Sequence, residues 1–275
     1  MDDLARALVD ARDYTRRMYA HLTPEQQAFP QIPIVNLPRW EVGHVGWFQE
    51  FWCRRWRPDD PQGARTPSRI GQADLWWDSR NVPHATRWTL PVPDWDGIHA
   101  YLDATLADTL ASLAASRDGE RYMFELALYH EDMHVEALLM TLQTLALPLP
   151  PWYPRGADRS AAAAPLAAGD VVFAGGAFAQ GAARGDERMR FVFDNEKWRQ
   201  DVVVPPFALS RRCVTNAEFA AFVAADGYAR RELWTEAGWQ WRERSGHAHP
   251  ANWRHADGRW QQRRFDAWRA LEPLA

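Results

Sequence analysis

Up to about residue 147 the chain repeats apolar positions at three- and four-residue steps, the period of a helix buried along one face. Leu4, Leu8, Ala11, Thr15, Met18 and Leu22 form a first stripe, and Trp40, His44, Trp47, Phe48 and Phe51 a second. Asn36 and Pro38 stand where an N-cap and an early-turn proline belong. Ile98, Leu102, Leu106, Leu110 and Leu113 form a third stripe, and Met123, Leu126, His130, Met133, Ala137 and Thr141 a fourth. Four amphipathic helices in succession predict a helical bundle. The connection between the second and third, roughly 35 residues, is long for a compact domain, and such loops usually carry function. It is rich in Pro, Trp and Asp, as in DLWWDSRNVPHATRW.

Near residue 150 the texture changes. Proline and small residues dominate ALPLPPWYPRGADRSAAAAPLAAGD, which reads as a linker. Short β-like runs follow at Val171-Val172-Phe173, Arg190-Phe191-Val192-Phe193 and Val202-Val203-Val204, with Gly175-Gly176 as a turn. A short helix is predicted from Asn216 to Ala225, capped by Thr215. The plan is α+β: a helical domain over residues 1–150, a linker over 151–168 and a mixed domain over 169–275. No internal repeat is visible.

Composition narrows the function. With 47% apolar residues the chain has enough material for a buried core. The 32 basic residues are balanced by 36 acidic ones, so the broad basic footprint of a nucleic-acid binder is missing. No apolar run reaches the length of a membrane span, and the acidic, periodic start MDDLARALVDARDY does not read as a signal peptide. Two cysteines, Cys53 and Cys213, are too few for a disulfide framework or a cysteine zinc site; both read as small packed or idle residues rather than ligands. A reducing, cytoplasmic setting is the expectation. Sixteen tryptophans suggest rigid aromatic walls, and nine histidines suggest a metal.

His130 and His134 are four residues apart and share one helix face, on the apolar stripe. His44 lies on the apolar stripe of the second helix. An unpartnered buried polar group costs about 1–3 kcal/mol, and one metal ion satisfies three imidazoles together. Local hydrogen bonding of each ring in the core is the plainer alternative. The stretch His130-Glu131-Asp132-Met133-His134 also matches H-E-x-x-H, in which Glu131 is the general base of a zinc protease. The extended protease form wants Gly and His where Ala137 and Met140 stand.

His44 with His130-x-x-x-His134-x-Glu136 resembles the DinB-like domain of iron-dependent sulfoxide synthases. FVFDNE at 191–196, FALSRRCVTNAEFAAFVAADGY at 207–228 and LWTEAGWQW at 233–241 resemble the opening half of a formylglycine-generating-enzyme-like domain, of C-type-lectin-like mixed fold. The two follow each other in ergothioneine and selenoneine synthases. NLPRWEVGHVGWFQEFW and WWDSRNVPHATRWTLP look more like the selenoneine branch, because the arginine pair of the ergothioneine branch is represented only by Arg80 and Arg87.

The resemblance implies a nonheme Fe(2+) oxidoreductase with His44, His130 and His134 as ligands. Its substrates are hercynine, O2 and a 1-seleno-sugar; the alternative donor is a thiol, γ-glutamylcysteine or cysteine. Asp78, Arg87, Trp76, Trp77 and Met133 are the candidate substrate contacts, with Trp88 in the same loop. Glu136 is the candidate for orienting a metal ligand, and Tyr129 reads as core. The catalytic acid or base is unassigned, because that family draws it from a stretch with no counterpart before Leu274-Ala275. Further alternatives are a zinc-dependent hydrolase or thiol transferase and a non-catalytic binding protein. The sequence does not define an oligomeric state.

Overall fold

The computed structural model describes residues 2–57, 66–117, 120–154, 169–185 and 191–273. They form two compact units, Met1–Trp152 and Tyr153–Ala275. Most of the segment read as a linker, residues 155–168, lies outside the described residues.

The first unit contains α1 (Asp3–Ala20), α2 (Pro38–Glu50), the short α3 (Ala73–Trp77), α4 (Trp95–Ala115) and α5 (Tyr122–Thr144). Asp2 caps α1 by accepting from the Leu4 N–H at 3.1 Å, and Asp94 caps α4 through Gly97 N–H at 2.9 Å. Helix α2 starts differently from expectation. Its N-cap is Leu37, which makes no side-chain bond, and Pro38 follows where a missing N–H costs nothing. Asn36 accepts instead from Arg87 Nη1 at 2.7 Å. At its far end α2 widens into a π turn over Phe51–Arg55.

Helices α1 and α5 pack together, as do α2 and α4, and α2 also lies against α5. Leu8, Met18, Ile98, Leu102, Leu138 and Leu142 are fully buried between them, each worth about 1.5–3 kcal/mol. Cys53 is a packed core residue beside Phe124 and Ala127.

One charged side chain in this core escaped the periodicity. Arg12, on the buried face of α1, is 2% exposed. Its Nε and Nη2 donate to the two Glu131 oxygens at 2.9 and 3.0 Å. Nη2 also reaches Gln49 Oε1 at 2.9 Å, and Nη1 reaches the Leu102 carbonyl at 2.8 Å. The guanidinium thereby ties α1, α2, α4 and α5 at one point. The fork geometry of Arg and the satisfied lone pairs offset the desolvation of both charges.

The long connection after α2 is fastened to it rather than free. Glu50, fully buried, accepts from Tyr101 Oη at 2.7 Å, Ser68 Oγ at 2.6 Å and Arg69 N–H at 2.9 Å. Asp74 of α3 accepts from Trp47 Nε1 at 2.6 Å and from both Arg55 terminal nitrogens at 2.7 Å. Trp40 Nε1 donates to the Trp76 carbonyl at 2.6 Å.

In the second unit, β1 (Asp170–Phe173) pairs antiparallel with β4 (Phe207–Ser210), and β2 (Gly176–Gln180) with β3 (Gln200–Val204). A meander of β5 (Trp253–Ala256), β6 (Arg259–Arg264) and β7 (Ala267–Ala270) forms a third sheet. Gly175 turns the chain between β1 and β2 with φ +73°, where a Cβ would come 2.3 Å from the Val204 carbonyl oxygen. Helix α6 (Asn216–Ala224) opens on a reciprocal cap: Thr215 Oγ1 accepts from Glu218 N–H, and Glu218 accepts from Thr215 N–H. Helix α7 (Glu236–Ser245) ends at Gly246 in the left-handed region. The β-like run at 190–193 is not a strand over its described residues. Glu196 accepts from Phe193 N–H at 2.9 Å and closes a helical turn there, a local bond that overrides the propensity of the phenylalanines.

Removing one partner of a buried ion pair strands the other charge. Arg12→Leu is expected to cost about 3–5 kcal/mol of stability, and Arg12→Leu combined with Glu131→Leu far less. Denaturant unfolding followed by circular dichroism measures both; a double variant as unstable as the single one contradicts this account.

Candidate metal centre

His44 is held on α2 by contacts on every side. Its Nδ1 lies 2.7 Å from the Trp77 carbonyl oxygen, which makes Nδ1 the N–H and leaves Nε2 as the free lone pair. Trp40 stacks nearly parallel to the ring, 5.1 Å between centroids and 7° between planes. Trp47 stacks 5.9 Å away. The carbonyl of Trp77 is placed by its own indole, which is fully buried and stacks on Tyr101 at 5.4 Å. The indole lies where a side chain on residue 43 would be: a Cβ added to Gly43 would come 2.3 Å from Trp77 Cε2. The glycine beside the histidine is thus a packing requirement.

The other two imidazoles come from α5. His134 Nδ1 lies 2.9 Å from Glu41 Oε1, and the other oxygen of this buried carboxylate accepts from Tyr19 Oη at 3.1 Å. That bond turns Nε2 of His134 toward Nε2 of His130, 3.2 Å away. His130 lies face to face with Phe48, centroids 3.6 Å apart and planes 7° apart. The three histidines each bring one ligand atom to within 4.8 Å of the others. The ring centroids are 5.1 Å apart for His44–His130 and His44–His134 and 4.5 Å for His130–His134. Burial, and after it the nearby His134, pushes His44 down to about 3. Burial likewise holds His130 well below the ordinary histidine value, with His134 and His44 adding to it. These two rings are neutral near pH 7, the form that binds metal.

The donor set fits a divalent transition metal. Two nitrogens each about 2.1 Å from one ion, at angles between a right angle and the tetrahedral one, stand about 3.0–3.4 Å apart, and the pair on α5 is 3.2 Å apart. Two of the three rings have an acceptor behind Nδ1, the arrangement that fixes a metal-binding tautomer.

The structure treats the remaining candidates unequally. Glu131 points away from the histidines into the Arg12 pair, 1% exposed. It cannot act as the general base of an H-E-x-x-H protease. Glu136 is exposed, and the carboxylate bonded to one of the three histidines, His134, is Glu41, one turn before His44. Trp77 contacts His44 through its carbonyl while its ring fills the core. Asp78 is buried and accepts from Arg80 and Asn81, building the turn that follows Trp77. Arg87 stands 3.8 Å over the Trp40 ring and donates to Asn36. Trp76 is half-buried, and Trp88 donates to the Phe29 carbonyl at 2.9 Å. Met133 is 46% exposed beside the histidine pair, and Tyr129, read as core, is 40% exposed. Met133 departs from the apolar stripe read along α5, and Tyr129 from its reading as core. The buried face is Phe124, Ala127, Glu131, Val135, Leu138, Thr141 and Leu142, which shares only Thr141 with that stripe. His130 and His134 therefore sit at the rim of the core, where a ligand can reach them. Glu41 and Tyr19 were missed. The only hint was an acidic residue at a helix position between Trp40 and His44.

A helical unit with a three-histidine cluster, followed by a small mixed sheet unit, defines a two-part class. Residues 7–142 match the DinB superfamily and residues 157–267 the sulfatase-modifying factor enzyme 1-like domain. Curated relatives carry the same span: a hercynine oxygenase of Mycolicibacterium thermoresistibile is 29% identical over 261 residues, 91% of this chain and 54% of the relative. That of Mycobacterium tuberculosis is 33% identical over 230 residues, 81% of this chain and 51% of the relative. That of Mycolicibacterium smegmatis is 28% identical over 253 residues, 92% and 57%. The chain spans about half the length of the curated relatives it matches. The chain is thus similar to the DinB superfamily in its first unit, to the sulfatase-modifying factor enzyme 1-like domain in its second, and to hercynine oxygenases across both.

Glu41→Gln is expected to weaken metal binding by about 10- to 100-fold, measured by competition with a chromophoric chelator. Unchanged affinity removes Glu41 from the site. Gly43→Ala overpacks the Trp77 pocket and is expected to cost about 1–3 kcal/mol, read as a lowered melting temperature of the metal-free protein.

Proposed function

We propose that this chain binds iron(II) through His44, His130 and His134 and takes part in the O2-dependent joining of hercynine to a sulfur or selenium donor. The observation that carries the reading is the convergence of three imidazoles, one buried and two at the rim of the core, two of them aimed by acceptors. The hercynine oxygenase relatives supply the substrate and the oxidant. Zinc satisfies the same donors but has no redox chemistry, so an oxidative role selects iron.

The overall reaction balances as hercynine C–H plus a donor S–H (or Se–H) plus O2, giving one C–S (or C–Se) bond, one chalcogen oxide oxygen and one water. The four electrons taken by O2 come from bond formation and chalcogen oxidation, two each. The bound metal supplies the one-electron chemistry and brings reactants together. The chain's own residues hold the site. Trp77 and Glu41 set the tautomers, Trp40, Trp47 and Phe48 wall two of the rings with apolar surface, and the rim position of His130 and His134 leaves one side open beside Met133. Trp76 and Met133 are the candidate contacts still presented to a substrate. The catalytic acid or base is unassigned.

The donor has two readings. The relatives support an ergothioneine-type reaction with a thiol. A seleno-sugar is favoured by the loop arginines: Arg80 is bound to Asp78 and Arg87 to Asn36 and the face of Trp40, so neither is held out for a peptide carboxylate.

Anaerobic loading is expected to give one Fe(II) per chain. His44→Ala, His130→Ala and His134→Ala are each expected to bind it at least about 10- to 100-fold more weakly. Hercynine is expected to shift the visible bands of the Co(II) form. A residue whose loss leaves stoichiometry and affinity unchanged is not a ligand, and an unshifted spectrum at saturating hercynine rejects the substrate. With hercynine present, the further spectral change on adding γ-glutamylcysteine, cysteine or a 1-seleno-sugar discriminates the donors.

A further inference from the structure

The three imidazoles are not held alike. His44 has the Trp77 carbonyl behind Nδ1 and a tryptophan on either side. His134 has Glu41 behind Nδ1. Nδ1 of His130 is buried and has no hydrogen-bond partner among the described residues. The torsion that turns an imidazole about its Cβ–Cγ bond has broad wells, so a ring without such a bond needs another restraint to aim its lone pair. The ring stacked on it most closely is Phe48, 3.6 Å between centroids with planes 7° apart. The other ring contacts of His130 are with its fellow ligands.

We propose that Phe48 is a positioning residue of the metal centre: its flat face fixes the plane of His130 and so aims the third ligand. The proposal rests on the metal-binding reading above and deepens it. Phe48 is one turn beyond His44 on α2, and Glu41 is one turn before it. One face of α2 therefore carries a ligand at its centre, the acceptor that aims His134 on one side, and the ring that aims His130 on the other. Helix α2 acts as a template for the pair on α5, and α5 needs to supply only two histidines at the right spacing. Stacking stands in for a hydrogen bond at His130, whose Nδ1 has no acceptor among the described residues.

A stacked plane and a filled volume make different demands. Phe48→Tyr keeps the flat ring; Phe48→Leu keeps apolar volume but loses the plane. Co(II) titration of both, beside wild type and His130→Ala, separates them. Phe48→Leu is expected to bind about 10- to 100-fold more weakly than wild type, and Phe48→Tyr close to wild type. In the Co(II) protein the paramagnetically shifted ring N–H signal of His130 is expected to move or broaden in Phe48→Leu while those of His44 and His134 stay. If Phe48→Leu binds like wild type, or Phe48→Tyr binds as weakly as Phe48→Leu, the ring plane does not position the ligand and the proposal is overturned. If His130→Ala itself binds like wild type, the ligand assignment fails instead, a distinguishable result. Phe48→Met, with a flexible chain of similar volume, takes the place of Leu if that variant does not fold.

Discussion

Three imidazoles with ligand atoms within 4.8 Å of one another, at the edge of the core, impose the constraint from which this domain is built. Charged, they repel each other and resist desolvation; neutral, each has one donor and one acceptor nitrogen to place. The fold resolves this by spending protein acceptors on two of the donors. A backbone carbonyl serves His44 and a buried carboxylate serves His134. Each acceptor is in turn held by something costly to move: the Trp77 carbonyl by an indole pressed against Gly43 and Tyr101, and Glu41 by the Tyr19 hydroxyl. The apolar stack around these groups keeps out the water that would otherwise compete for the same lone pairs.

Helix α5 then has to serve two masters in adjacent residues. His130 and His134 face the cluster while Glu131, one position on, turns aside into the Arg12 fork. A step of one residue turns about 100° around a helix, so these roles are separated by geometry alone. The buried ion pair sets the rotation of α5 about its axis: with Glu131 pinned to α1, α2 and α4 through Arg12, the two histidines can point only at α2. A five-residue motif that reads as a protease site thus resolves into two unrelated functions on two faces.

Much of this was legible in the chain and some was not, for physical reasons. The four long helices followed from the apolar period, and α6 with its Thr215 cap from a capping box that is local in sequence. The three histidines were found because polar rings on apolar stripes demand an explanation. The stripe read along α5 failed at Met133, which is apolar yet outward, and held at Thr141, which is buried. Hydrophobicity reports that a side chain dislikes water, not that the fold has covered it. Glu41, Tyr19 and Arg12 were invisible to that reading because their meaning lies in partners 22 to 119 residues away. Asp78 and Arg87 were suspected for their position in a long loop; both serve to hold that loop in shape.

The tryptophan content, which suggested walls around a ligand, has a second and more general cause. In the first unit four of the nine indole N–H groups are fasteners. Trp40 bonds the Trp76 carbonyl, Trp47 bonds Asp74, Trp88 bonds the Phe29 carbonyl and Trp95 bonds Gln27. Each joins a helix or loop to a segment between 27 and 68 residues away. A long connection without regular structure has unsatisfied backbone and little core of its own. A residue that buries a large apolar face and donates one hydrogen bond at its tip answers both needs at once. Because the connection so fastened carries Trp77, the same indoles that secure the loop also hold the carbonyl that fixes His44. Loop rigidity and ligand orientation are therefore one property in this domain, and sequence changes that loosen the first are felt at the second.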